Sequence, residues 1–214
     1  MEDASNASEN PRRRYWNFLT EEKTSQTFLL LSLILGATWS FTETFIFIHL
    51  ETVGFTRQDL GQSLVFSTFI GILMSICSSR FLTKFGWQAG ISLALVSYSL
   101  RLIGYTWIGQ NNYTLLALLE SLKPLGNPLM MLTTGFFMQH FIQIQDIAIF
   151  QSLFGSAYFG LAKGMGSIAG GLAIGYCGSF TTFQVLALLC FAAACLNFIA
   201  PRLSDKKKEK LQQL

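Results

Sequence analysis

The sequence predicts an all-α integral membrane protein with six transmembrane helices. The 214 residues are 51% hydrophobic and only 13% charged, with a mean hydropathy of +0.43. A soluble domain normally carries about a quarter charged residues. The charges cluster at the two ends of the chain, and the apolar stretches between them reach about 20 residues or more, enough to cross a bilayer core of roughly 30 Å. This pattern excludes a soluble globular domain.

Six apolar stretches define the predicted domain organisation. A polar, disordered cytosolic tail occupies residues 1–26, a six-helix bundle residues 27–200, and a basic cytosolic tail residues 201–214. The fifth stretch is overlong for one crossing, so we expect it to tilt or bend. The predicted spans are 27–50, 61–82, 89–107, 113–137, 147–176 and 180–200.

Lysine and arginine placement predicts that both termini lie in the cytosol. Eleven of these residues flank one side of the predicted spans, and only Arg57 lies in a loop on the other side. Loops rich in Lys and Arg stay on the cytosolic side of a membrane. Because the basic residues lie at membrane edges, nucleic-acid binding is excluded. Nothing in the sequence indicates which cell membrane holds the protein.

Five ionisable residues fall inside the predicted spans. A charged side chain is costly in hydrocarbon, so we expect these five to face the bundle interior or a wet cavity and to pair where they can. They are the candidate residues of a substrate or proton pathway: Glu43, Arg101, Glu120, Lys123 and Lys163.

Three of these residues have similar depths. At 1.5 Å per residue, Glu43, Arg101 and Glu120 each lie about 10 Å below the outer boundary of their span. A bidentate contact between the guanidinium and a carboxylate would satisfy both groups. A carboxylate placed this way can exchange protons, as in a proton-coupled carrier. The alternative is a static ion pair that locks the bundle.

The two lysines have open roles. Lys123 follows Glu120 by three positions, so on a regular helix the two share a face and Lys123 can neutralise Glu120. Contact with a substrate is the other interpretation. Lys163 has no partner in its own glycine-rich helix, so it is either an anion-binding group or the partner of a carboxylate elsewhere.

Prolines predict a break in the fourth span, directly after Glu120 and Lys123. Proline removes a backbone donor and bends or breaks a helix. Transporters often place broken helices at their binding sites, although a simple packing kink has the same signature. The residues that predict the break are Pro124, Gly126, Asn127 and Pro128.

Glycines in the fifth span predict close helix packing, because small residues four apart let helices approach each other. The candidate packing residues are Gly160, Gly164, Gly166, Gly170 and Gly171. No nucleophile–base arrangement, metal-ligand cluster or phosphate loop is present in the sequence. We therefore expect no enzymatic activity, no metal and no cofactor.

Several segments together resemble a known family. They are residues 36–45 (GATWSFTETF), 50–54 (LETVG), 101–102 (RL), 118–122 (LLESL) and 160–166 (GLAKGMG). This set is similar to the C-terminal half of a major facilitator superfamily transporter, in the major facilitator superfamily domain-containing protein 6 group, which is related to the lactose-permease-like branch. The resemblance covers about residues 27–200.

The resemblance implies a secondary transporter for a small solute, with the bilayer, the solute and protons as partners. It places Arg101 and Glu120 at the ninth-helix arginine and tenth-helix carboxylate of proton coupling. The family's pathway lies between two six-helix halves, so a second copy or a separately encoded half is expected as a partner. The alternatives are a fragment of a twelve-helix transporter and a non-transporting receptor or scaffold.

Overall fold

The chain is helical almost throughout. The computed structural model describes the backbone of residues 23–110 and 112–212 and the side chains of 24–110 and 112–198, and no strand occurs in these ranges. The α-helices are α1 Lys23–Val53, α2 Arg57–Trp107, α3 Tyr113–Ser121, α4 Asn127–Phe141, α5 Ile147–Gly155, α6 Lys163–Cys177 and α7 Ser179–Gln212.

Three helical segments of the described chain are long and apolar enough to cross a membrane: Thr24–Val53, Arg57–Trp107 and Ser179–Phe198. The other predicted spans do not appear as single helices. The second and third share α2. The fourth consists of α3 and α4 with a 3₁₀ turn between them, and the fifth consists of α5 and α6 with a π-helix between them. The structure therefore supports a helical membrane protein, whereas the count of six crossings stays a prediction.

The long helix α2 is interrupted at Gly86. This residue has φ 79° and ψ 176°, a conformation that lies outside the helical region and is open mainly to glycine. A Cβ here would meet nothing within 4 Å, so backbone conformation rather than crowding requires the glycine. The side chain of Asn197 donates from Nδ2 to the Gln88 carbonyl at 3.0 Å and so holds α7 against the segment after the interruption.

The fourth predicted span is broken at its prolines. Helix α3 ends at Ser121, a 3₁₀ turn covers Lys123–Leu125, and Gly126 has φ −87° and ψ −105° before α4 begins at Asn127. The Ser97 hydroxyl donates to the carbonyl of Leu122 at 2.9 Å, which satisfies an acceptor at the break. The interruption is thus packed and hydrogen-bonded to α2.

The fifth predicted span contains a π-helix. Seven residues, Ser156–Ala162, have the wider π turn between α5 and α6. π-helical segments are rare in proteins, and many of those that occur lie at functional sites. The π-helix places Tyr158 in the core, where its side chain is fully buried. The expected distortion of this overlong span therefore takes the form of a widened turn.

The predicted packing glycines divide into two groups. A Cβ at Gly166 would lie 2.2 Å from the backbone oxygen of Ala37, and one at Gly170 would lie 2.3 Å from the ring of Phe41. These two glycines therefore let α6 approach α1 closely. A Cβ at Gly171 would make an ordinary contact of 3.4 Å with Phe45.

Gly160 and Gly164 were expected to allow close helix packing, but they do not lie against another helix of the described chain. A Cβ at either position would meet no atom within 4 Å among the described residues. The four-residue spacing predicted a packing face, but Gly164 lies two positions before Gly166 on α6 and therefore points away from the face that contacts α1. The close approach of α6 therefore begins at Gly166.

The ends of the bundle differ from the predicted boundaries. Helix α1 begins at Lys23, inside the predicted 1–26 tail, while residues 1–22 of that tail lie outside the described chain. Helix α7 continues past residue 200 to Gln212, through most of the predicted basic tail. The side chains of that tail lie outside the described residues.

Candidate functional site

Arg101, Tyr105 and Glu120 form a buried network. Arg101 Nη2 donates to the Tyr105 hydroxyl at 2.8 Å, and that hydroxyl donates to Glu120 Oε1 at 2.5 Å. Arg101 Nη2 also lies 3.2 Å from the same carboxylate oxygen. Arg101 is 2% exposed and Glu120 4% exposed. Removing one partner of such a buried pair is unfavourable, because it leaves the other group buried without its counter-charge.

The predicted bidentate contact is replaced by a shared one. One carboxylate oxygen receives both donors, while Glu120 Oε2 and Arg101 Nε are buried and have no hydrogen-bond partner among the described residues. Aromatic rings enclose the guanidinium, with the Tyr98 and Tyr105 ring centroids at 5.8 and 5.4 Å. The hydrogen bonds of the network therefore converge on a single carboxylate oxygen of Glu120.

A second ion pair joins Glu43 to Lys123. Lys123 Nζ lies 2.9 Å from Glu43 Oε1, and the side chains are 26% and 37% exposed. This pairing corrects two expectations. Lys123 pairs with the carboxylate of α1 rather than with Glu120, and Glu43 does not contact Arg101 in the described structure. Glu43, Arg101 and Glu120 therefore do not form one cluster. Arg101 and Glu120 make one site, and Glu43 and Lys123 make another.

The Glu43–Lys123 pair lies in an open groove, which we call the charged groove. It has a volume of about 440 Å³. The broken helix supplies one wall, and α1 and the first part of α2 supply the others. The lining residues are Trp39, Glu43, Ser67, Thr68, Gly71, Ile72, Ser75, Lys123, Pro124, Asn127 and Pro128. The predicted break thus forms part of a concave, mainly apolar surface that carries one ion pair.

Lys163 contacts Trp39, one of the residues that line this groove. Its Nζ is 5.6 Å from the centroid of the Trp39 ring, at a distance typical of a cation–π contact. The sequence also allowed Lys163 to pair with a carboxylate on another helix. The structure does not show such a pair, because no described carboxylate lies within 4.0 Å of Lys163. Among the described residues, the Lys163 ammonium therefore contacts an aromatic ring and no carboxylate.

Aromatic side chains connect the π-helix to the charged groove. The rings of Trp39 and Tyr158 stack with centroids 5.7 Å apart and an interplanar angle of 9°. The Tyr158 hydroxyl donates to Asn127 Oδ1 at 2.9 Å. Tyr158 therefore holds both a wall of the groove and the first residue of α4.

Sequence reasoning missed Tyr105, Trp39 and Tyr158 as site residues. Tyr105 follows Arg101 by four positions, and this spacing alone places both side chains on one helix face. Trp39 likewise precedes Glu43 by four positions on α1, whereas no such spacing marks Tyr158. The stacking of Trp39 on Tyr158 joins α1 to the π-helix, which the sequence did not predict.

The two histidines in the described bundle bond to protein groups. His49 lies 3.0 Å from the Tyr105 carbonyl through Nε2 and 3.0 Å from the Ser179 hydroxyl through Nδ1. His140 Nδ1 lies 3.0 Å from the Phe136 carbonyl. No group of three potential metal ligands occurs within the described part of the chain.

These features define a helical membrane protein with charged groups held inside an apolar bundle. The chain belongs to the MFS_1 like family, whose model matches residues 1–185. Comparisons with curated proteins and with solved structures gave no match. Membership indicates a multi-pass major facilitator-type protein, a class that typically transports solutes rather than catalysing reactions.

Proposed function

We propose that this chain is a half-size major facilitator-type carrier that moves a small solute through the charged groove. In this proposal the helical segments make six membrane crossings and both termini lie in the cytosol. The chain corresponds to a C-terminal half of the kind found in the lactose-permease-like group. The observation that carries the proposal is the Glu43–Lys123 ion pair in an open groove at a broken helix. Broken helices supply free backbone groups for substrates in transporters.

Glu120 is the proposed proton site. Its Oε2 atom is buried and has no partner in the part of the chain that the structure describes, whereas its Oε1 atom accepts from Tyr105 and Arg101. A proton that arrives on Oε2 would weaken the attraction to Arg101 and free the guanidinium to move. Buried carboxylates in membrane proteins commonly serve as proton relays. Protonation of Glu120 and movement of Arg101 would then be coupled to solute transport.

The charged groove needs a cover. It is open along one side, and Glu43 and Thr68 would meet lipid there if nothing else packed on it. Exposure of such groups to hydrocarbon is unfavourable. We propose that a second copy of the chain, or another six-helix half, closes the groove and completes the pathway.

Proton coupling can be tested in proteoliposomes. A panel of radiolabelled sugars, amino acids and organic acids is offered with and without an inward proton gradient. Glu120→Gln should abolish accumulation driven by the gradient and leave solute exchange at equal pH, because a glutamine cannot carry the proton. The matched control is Glu51→Gln, which changes an exposed carboxylate paired with Arg57. Accumulation that persists in Glu120→Gln contradicts the coupling role.

The cover can be tested by crosslinking in the native membrane. Thr68→Cys is introduced into a chain whose four natural cysteines are replaced, and captured partners are identified by mass spectrometry. We expect a second copy or a six-helix partner. Leu196→Cys, exposed on α7 outside the groove, is the control position. A chain that stays monomeric and gives no flux favours the scaffold or fragment alternatives.

A further inference from the structure

We propose that the solute of the charged groove is a small organic anion and that Lys163 supplies its counter-charge. The inference rests on the proposed carrier function and specifies its substrate class. It depends on how the structure pairs the intramembrane charges.

Among the described residues, one of the five intramembrane charges has no partner of opposite charge. Arg101 is matched by Glu120 at 3.2 Å, and Lys123 is matched by Glu43 at 2.9 Å. Lys163 is the fifth charge, and no described carboxylate lies within 4.0 Å of it. The five intramembrane charges, three basic and two acidic, therefore sum to +1. An uncompensated cation in the low dielectric of a membrane protein is costly, and a bound anion would remove that cost.

The backbone and side chain of Lys163 are positioned separately. Its carbonyl accepts a hydrogen bond from the Ser40 hydroxyl at 2.8 Å, which fixes the start of α6 against α1. Its ammonium lies over Trp39, and Trp39 lines the groove. The side chain itself is exposed. A cation–π contact holds an ammonium without neutralising it, so the charge remains available to an anion.

The broken helix adds positive potential to the same groove. Helix α4 begins at Asn127, whose backbone N–H bonds to Tyr98, and the following Pro128 has no N–H, so only the helix dipole is offered to the groove at this end. The partial positive charge of a helix amino terminus favours anions. Asn127 accepts from Tyr158 through Oδ1, so its two Nδ2 hydrogens are donors suited to a carboxylate. Both Asn127 and the following Pro128 line the groove.

The neutral ion pair sets the charge of the preferred solute. Glu43 and Lys123 balance each other and can orient polar groups of a solute without selecting its net charge. Selection then falls to Lys163, which favours a single negative charge. The groove volume of about 440 Å³ suits a small metabolite-sized molecule rather than a polymer.

The test compares solutes of equal shape and different charge. Purified full-length protein is titrated with a panel of carboxylates, including acetate, lactate and benzoate, and with the corresponding neutral amides. Binding is followed by ligand-induced thermal stabilisation, which needs no transport. Uptake of the same probes is measured separately in proteoliposomes. We expect at least one carboxylate to bind about tenfold more tightly than its amide, as a charge-assisted hydrogen bond allows.

Variants of Lys163 identify the charge that is responsible. Lys163→Gln should weaken carboxylate binding about tenfold and leave amide binding unchanged, and Lys163→Arg should restore it. Lys84→Gln is the matched control, because Lys84 also lies over an aromatic ring, that of Phe85 at 5.4 Å, but outside the groove.

The outcomes separate this inference from the carrier proposal. Equal binding of acids and amides, no binding of any carboxylate, or unchanged carboxylate binding in Lys163→Gln overturns the anion assignment. Flux of an amide or another uncharged solute would then leave the carrier proposal intact. Carboxylate binding that depends on Lys163 but occurs without flux in proteoliposomes supports the anion site and contradicts the carrier proposal.

Discussion

Glu43 and Lys123 form an ion pair, with 2.9 Å between Oε1 and Nζ, that joins α1 to the 3₁₀ turn of the broken helix. The pair is about one third exposed and opens onto the charged groove. It connects the start of the break to a helix that also carries Trp39. The two residues therefore fix the position of the break relative to the rest of the groove.

Reversing the two charges should preserve this link. Glu43→Lys or Lys123→Glu alone should lower thermal stability, because each places like charges next to each other. The double variant should recover most of the loss, with a coupling energy of about 1 kcal/mol for a partly exposed pair. Thermal unfolding of the four proteins in detergent measures it. Additive losses in the double variant would show that the two side chains act independently.

Removing the Tyr105 hydroxyl should destabilise the buried network. Tyr105→Phe takes away the donor to Glu120 Oε1 and the acceptor for Arg101. A buried charged group that loses a hydrogen bond costs about 1–3 kcal/mol. Tyr176→Phe, at a residue that is 88% exposed, serves as the control and should have little effect. Equal stability of Tyr105→Phe and the parent protein would argue against a role for the hydroxyl.

Neutralising only one partner of the buried pair should be worse than neutralising both. Arg101→Gln leaves Glu120 buried without its counter-charge, which costs about 3–5 kcal/mol. The double variant Arg101→Gln with Glu120→Gln should regain much of this stability. Unfolding midpoints in detergent provide the comparison. Arg57→Gln breaks an exposed pair with Glu51 and should change stability by no more than about 0.5 kcal/mol.

Two neighbouring glycines should respond in opposite ways to alanine. Gly166→Ala places a Cβ 2.2 Å from the Ala37 backbone oxygen and should cost about 1–3 kcal/mol, because α6 must move away from α1. Gly164→Ala has open space and should be neutral or stabilising by up to about 1 kcal/mol. Thermal unfolding of both variants tests this difference. Similar losses in the two would contradict the close approach at Gly166.

Much of the architecture follows from local signals in the sequence. The prolines at 124 and 128 predict a broken helix because proline lacks a backbone donor, and the structure has a 3₁₀ turn and a non-helical Gly126 there. The Arg101–Glu120 contact follows from equal depth and opposite charge. Depth and backbone chemistry are properties of single helices, so one sequence is enough to estimate them.

The ion pair between Lys123 and Glu43 could not be predicted from depth and backbone chemistry. The three-residue spacing assumed a continuous α-helix, but the α-helix ends at Ser121 and Lys123 begins a 3₁₀ turn. The change of turn directs Lys123 toward Glu43. Depth also gives no rotation about the helix axis, so residues at one height can face different neighbours. The separation of Glu43 from Arg101 has this origin.

The π-helix at Ser156–Ala162 determines in which direction the side chains of the following helix α6 point. Its wider turn advances less around the axis than the same seven residues would in an α-helix, which turns once every 3.6 residues. Converting it to a regular α-helix would rotate Lys163 away from Trp39 and Gly166 away from Ala37 together. A single change of helical winding would therefore alter both the charge that contacts a groove-lining residue and the seam that holds α6 on α1.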